Sequence, residues 1–166
     1  MNTPDSARYI SDWVEIAQWA GQDREAVEVY TRYANSVPMP TRAMAAAARA
    51  YRNLQQWGAA VSLLEAVVAR APANAELQLA LVMTLADAGQ DQKALPLAKQ
   101  WLVQDPKNPQ KLLGLAYVHI RAGRLLDAKE QLSLARELAP RNAEVLQHNM
   151  ALLPQLNMSY AALNMA

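Results

Sequence analysis

An all-α solenoid of stacked helix–turn–helix repeats is the fold class this sequence predicts, from evenly spaced marks along the chain. Pro38, Pro72, Pro106 and Pro140 stand 34 residues apart. Ala26, Ala60, Ala94, Ala128 and Ala162 keep that period through five copies. Gly21, Gly89 and Gly123 share a third phase, in which Gln55 and Asn157 occupy the other two copies. Asn74, Asn108 and Asn142 follow their prolines by two residues.

Positions 1–34 within each repeat define units 7–40, 41–74, 75–108 and 109–142, after a tail at 1–6 and before a truncated fifth repeat at 143–166. A first helix opens each unit, with apolar positions 4, 7, 8 and 11 on one face. That stripe reads Ile10, Trp13, Val14 and Ala17, then Met44, Ala47, Ala48 and Tyr51. It continues as Gln78, Leu81, Val82 and Leu85, then Leu112, Leu115, Ala116 and His119. Position 15 ends the helix, because glycine reaches the φ > 0 of a helix C-terminus without strain. The second helix carries the small alanine where two helices must approach closely. Larger core residues follow it: Tyr30 and Tyr33, Leu64 and Val67, Ala98 and Trp101, Leu132 and Ala135. Proline at position 32 then stops it, lacking the N–H and crowding the preceding turn. Two prolines break the pattern. Pro96 should kink or delay the second helix of the third unit, and Pro154 should end the first helix of the fifth near 153.

A 34-residue helix–turn–helix unit with a closing proline resembles the tetratricopeptide repeat (TPR) family. The resemblance implies a right-handed superhelix, a TPR α-solenoid, whose first helices line a concave surface. The fifth unit ends in Met158-Ser-Tyr-Ala-Ala-Leu-Asn-Met-Ala166, an apolar stretch where a stacked array needs a polar cap. This predicts a segment of a longer array, with a last helix that frays or pairs through its exposed face.

Composition narrows the function. Sixteen Lys and Arg against fifteen Asp and Glu leave a net charge of +1, which argues against nucleic acid as a partner. With no cysteine, thiolate metal sites, thiol nucleophiles and disulfides are excluded. No run approaches the length of a membrane span, so direct membrane insertion of this chain is not expected. Met1–Asp5 is polar and lacks the parts of a signal peptide, so an exported parent would carry its leader upstream. All five glycines are isolated, which rules out a phosphate loop. His119 falls on a core position, where a hydrogen-bonded core histidine is expected. His148 could face the concave surface, without a partner at metal-ligand spacing. No catalytic residue, cofactor site or metal site is expected, and the chain reads as a binding module rather than an enzyme. Charge alternates by unit, at −2, +3, −2 and +2 over 7–38, 41–72, 75–106 and 109–140, which favours attraction between neighbours.

By the TPR resemblance, positions 2, 5, 6, 9, 12 and 13 of each first helix face the groove. Arg8, Ser11, Asp12, Glu15, Gln18 and Trp19 hold them in the first unit, and Arg42, Ala45, Ala46, Arg49, Arg52 and Asn53 in the second. The third gives Glu76, Leu79, Ala80, Met83, Ala86 and Asp87, the fourth Gln110, Leu113, Gly114, Tyr117, Ile120 and Arg121. TPR modules that clamp a C-terminal carboxylate place Lys and Asn at certain of these positions; here they hold Ser11, Glu15, Ala46, Glu76 and Ala80, so that clamp is absent. The candidate ligand-binding residues are Asp12, Glu15, Trp19, Arg49, Arg52, Met83, Asp87, Tyr117 and Arg121. Aromatic faces flanked by hydrogen-bonding groups suit sugar rings, and they suit peptides as well. Trp19 could instead pack against the turn at Gly21.

Three stretches resemble a narrower family. Tyr9-Ile-Ser-Asp-Trp-Val-Glu-Ile-Ala-Gln-Trp-Ala-Gly-Gln-Asp23, Ala50-Tyr-Arg-Asn-Leu-Gln-Gln-Trp57 and Leu85-Ala-Asp-Ala-Gly89 are similar to the periplasmic TPR region of the PgaA family. These are outer-membrane exporters of the biofilm polysaccharide poly-β-1,6-N-acetylglucosamine. The resemblance implies a periplasmic location and a parent with a signal peptide and a β-barrel, neither of which lies in this chain. It also implies two partners, the partly deacetylated polymer and the periplasmic deacetylase PgaB. Carboxylates at Asp12, Glu15 and Asp87 would then attract the ammonium groups left by deacetylation. The alternative is a peptide-binding TPR adaptor or secretion chaperone, with Leu79, Met83, Leu113 and Tyr117 as an apolar groove for a peptide or protein ligand. A third reading is an assembly scaffold whose groove is idle.

Overall fold

The computed structural model describes residues 4–164, and over these the chain is all α-helical, with no strand among the described residues. The helices are α1 (Pro4–Trp19), α2 (Asp23–Tyr33), α3 (Thr41–Asn53), α4 (Trp57–Arg70), α5 (Ala75–Asp87), α6 (Asp91–Gln104), α7 (Pro109–Arg121), α8 (Leu125–Leu138) and α9 (Ala143–Asn164). The side chains of His148 and Ala162 lie outside the described residues.

Two compact units divide the chain, Met1–Leu77 and Gln78–Ala166. In the first, α1 packs on α2 and α3, α2 on α3, and α3 on α4. Its core joins Val14, Ala17, Ala26, Val29, Ala47 and Ala50. Beside it, Met39, Ala43, Met44 and Val67 pack with Tyr30 and Tyr33. In the second unit α6 packs on α7, α7 on α8, and α9 on both α7 and α8, around Leu79, Leu112, Leu113, Leu132 and Val145. Ala26, Ala60, Ala94 and Ala128 are wholly inaccessible to solvent, as close helix approach requires. His119 is buried in the core and bonds through Nδ1 to Gln131 Oε1 at 2.9 Å. Trp13 departs from the stripe at 43% exposure, whereas Ala47, Leu81 and Leu115 in its phase are buried. Its indole N–H donates to Glu25 Oε1 at 3.1 Å on the exposed side of α2.

Turns between the paired helices share one geometry. Gly21, Gly89 and Gly123 have φ of 75°, 75° and 77°, and Gln55 takes the same left-handed region at 59°. At each turn the next N–H reaches back five residues: Gln22 to Ala17, Gln56 to Tyr51, Gln90 to Leu85 and Arg124 to His119, at 2.7–2.9 Å. The left-handed residue itself bonds three residues back, which completes a Schellman motif four times over.

The asparagine phase has a separate task. Asn108 Oδ1 accepts from the N–H groups of Gln110 and Lys111 at 3.0 and 3.3 Å, and Asn74 Oδ1 from those of Glu76 and Leu77 at 3.1 and 3.2 Å. Asn142 Oδ1 accepts from Val145 N–H at 3.2 Å. These asparagines cap the first helix of the following unit, satisfying donors that a helix start leaves open.

Three expectations about helix limits are corrected. First, α1 already begins at Pro4, inside the expected tail, at a place where a missing N–H costs nothing. Second, α6 starts at Asp91 and runs through Pro96, so the proline does not delay it, although it lacks the N–H for one internal ladder bond. Third, α9 runs unbroken through Pro154, and Asn157 is helical rather than a turn. An interior proline costs ~3 kcal/mol, yet residues on both sides of it, Leu153 and Asn157, line the same recess against α8. The second helices α4, α6 and α8 stop two residues before Pro72, Pro106 and Pro140, as expected.

Candidate functional site

Adjacent first helices pack closely enough to bury part of the surface expected to line a groove. Ser11, Gln18 and Ala46 are buried in the first unit, and Leu79, Ala86 and Leu113 in the second. Positions 2, 9 and 13 remain accessible to varying degrees. Leu79 and Leu113 belong to the core of the second unit, and Met83 and Tyr117 pack against it half-buried. The apolar peptide groove built from these four residues is therefore not open.

Side chains on neighbouring first helices meet at a sequence offset of about 30, one repeat less one helical turn. Arg42 Nη2 donates to Asp12 Oδ1 at 3.1 Å, and its Nη1 lies 3.1 Å from Glu15 Oε2. One guanidinium thus straddles two of the three carboxylates that were expected to be open to a cation. Arg49 donates to Gln18 Oε1 at 3.2 Å, and Asn53 Nδ2 at the end of α3 donates to Asp23 Oδ1 at the start of α2 at 3.3 Å. In the second unit the Tyr117 hydroxyl donates to Asp87 Oδ1, and Arg121 Nε lies 3.7 Å from the same oxygen. Arg52 is half-buried in the last turn of α3.

The candidate residues thus fall into two groups. Asp12, Glu15, Trp19, Arg49 and Arg52 lie in the first unit; Met83, Asp87, Tyr117 and Arg121 lie in the second. In the first, a cleft of about 420 Å³ is lined by Glu15, Gln18, Trp19, Arg42, Arg49 and Glu76 among others. Trp19 does not pack on the turn at Gly21; it is 89% exposed at the rim. Its lining charges balance, with Glu15 and Glu76 against Arg42 and Arg49.

Two further recesses were not read from the sequence. Tyr9, Ile10, Trp13, Tyr33 and Val37 line an apolar one of about 420 Å³ at α1 and α2. Large aromatics at Tyr9 and Trp13, where the second repeat has Ala43 and Ala47, are its signal. Lys129, Ser133, Arg136 and Asn149 line another of about 250 Å³ between α8 and α9. The spacing of Lys129, Ser133 and Arg136 on one helix face is legible, but the closing wall is α9, whose packing on α8 is not. Among the described residues no group of three His, Asp or Glu side chains is placed to hold a metal ion, and no helix is long and apolar enough to cross a membrane.

Residues 52–110 match the tetratricopeptide repeat family. The chain is 40% identical over 143 residues to the poly-beta-1,6-N-acetyl-D-glucosamine export protein of Escherichia coli strain K12, and equally to that of Escherichia coli O157:H7. The matched stretch is 86% of this chain but only 17% of those relatives' length. Among solved structures, a tetratricopeptide repeat protein from Parabacteroides merdae superposes with a TM-score of 0.73 at 15% identity, covering 96% of this chain and 63% of that one. MamA from Desulfovibrio magneticus RS-1 superposes with a TM-score of 0.66 at 16% identity, covering 97% and 93%. Both structures are likenesses of fold.

Proposed function

From the premise that the chain is a tetratricopeptide-repeat α-solenoid, we propose that it is a non-catalytic binding scaffold within an outer-membrane exporter of poly-β-1,6-N-acetylglucosamine. Its place is the periplasm, where the first-helix faces guide the partly deacetylated polymer, dock the deacetylase PgaB, or do both. One observation carries this reading: the 40% identity to the export protein extends over 86% of the chain, far beyond what a shared repeat period demands. The solved repeat structures match the same fold at only 15% and 16% identity.

The cleft beside Trp19 supports a saccharide ligand. Its volume lies within the range of small-molecule sites, and an exposed indole offers a face to sugar C–H groups while Arg49, Gln18 and Glu76 supply edge hydrogen bonds. An NMR titration with β-1,6-linked N-acetylglucosamine and glucosamine oligomers tests it. Shifts are expected at Trp19 and Arg49, with Tyr117 following if the second unit also touches the polymer. An absence of shifts at millimolar oligomer sinks the polymer reading. A separate binding titration with purified PgaB then decides whether the scaffold serves the deacetylase alone.

A further inference from the structure

We infer that Arg42 makes the cleft beside Trp19 a seat for uncharged, N-acetylated sugar units, by cancelling the attraction its carboxylates would exert on the ammonium-bearing units of the same polymer. This rests on the polymer reading above and deepens it.

Arg42 is placed to set the charge that a ligand meets. Its two terminal nitrogens engage Asp12 and Glu15 at 3.1 Å each, so the carboxylates face a guanidinium rather than solvent alone. All three side chains are partly exposed, and such pairs contribute little to stability. Their effect on a ligand is different. An ammonium entering the cleft meets Arg42 and Arg49 as well as Glu15 and Glu76, so attraction and repulsion cancel to first order. With Arg42 removed, Glu15 and Asp12 become available and the balance turns negative.

What remains when charge cancels is a chemistry suited to an acetamido group. Arg49 carries N–H donors for its carbonyl, and Glu15 and Glu76 carry acceptors for its N–H. The Trp19 indole, 89% exposed, offers a surface for the acetyl methyl and the ring C–H groups. Primary amines offer no methyl and arrive with a hydration shell that a neutral cleft does not replace.

The test titrates the full chain with two tetramers, β-1,6-linked N-acetylglucosamine and β-1,6-linked glucosamine, at neutral pH and low salt. Wild type is expected to favour the acetylated tetramer by about fivefold or more, as differential contact of this size allows. Arg42→Gln is expected to shift that affinity ratio by about tenfold toward the glucosamine tetramer, with the gain fading as salt rises. Adding Asp12→Asn and Glu15→Gln to Arg42→Gln should remove the gain, which separates freed charge from general loosening. A wild type that prefers the glucosamine tetramer, or a ratio that Arg42→Gln leaves unchanged, overturns the inference while the polymer reading stands. If neither tetramer binds wild type, both fall together.

Discussion

Gln55 holds a backbone conformation that its three counterparts assign to glycine. Its φ of 59° matches the 75–77° of Gly21, Gly89 and Gly123, and the same two turn hydrogen bonds form around it. A β-carbon in this region costs about 1–2 kcal/mol, part of which glycine returns through its freer unfolded chain. Gln55→Gly should therefore stabilise the protein by about 0.5–1 kcal/mol, read as a higher urea midpoint. Tyr30 bears on alkaline stability. Burial pushes its phenol pKa up, the neighbouring Tyr51 adds to this, and the Arg70 guanidinium pulls the other way. A raised folded value means that the native state keeps its proton after the unfolded chain has lost it. The stability Tyr30 contributes is thus full below about pH 10 and is lost as pH rises through the raised folded value. Tyr30→Phe should flatten the fall in urea midpoint measured from about pH 9 to 11; an unchanged slope would place its cause elsewhere. The glycine phase is visible in the sequence, so Gln55 as its substitute was legible. The fork of Arg42 was not, because Asp12, Glu15 and Arg42 converge only when the stagger of α1 against α3 is known.

At the scale of the helix, several starts and stops are set by a few side-chain or backbone contacts. The asparagine phase shows this. Asn108 accepts two N–H groups at the head of α7, so Asn108→Ala should cost about 1 kcal/mol while Asn108→Asp retains most of it. Thermal melts of the two variants decide the point, and equal melts would deny the cap a role. Sequence periodicity revealed that phase without its purpose, because a cap is recognised by the amides it faces. Periodicity failed outright in α9. Pro154 and Asn157 both signal an end, yet the helix continues through them, with Leu153 and Asn157 on either side of the proline facing α8. Local propensity lost there to tertiary packing. The groove assignment was narrowed by another route. Ser11, Leu79 and Leu113 share an exposed phase in an isolated helix, and only a neighbouring helix laid one turn out of step covers them.

Across the whole chain, packing within each unit joins helices that are next or next but one in sequence. Such local topologies fold in microseconds to milliseconds. Stopped-flow refolding from urea should show its main amplitude complete within about ten milliseconds. A main phase lasting seconds would mean that distant contacts, absent from either unit's packing, limit the reaction. The repeat architecture was the most legible property of all, since 34-residue marks survive wherever a turn or a close helix approach admits few side chains. The four Schellman turns carry a further meaning. Each closes its own hydrogen bonds within six residues and borrows nothing from another repeat. A gene segment encoding 34 residues can therefore be copied or lost in register without stranding a polar group at these corners. Solenoids built this way can lengthen or shorten by recombination alone, leaving substitution to adjust what their surfaces hold.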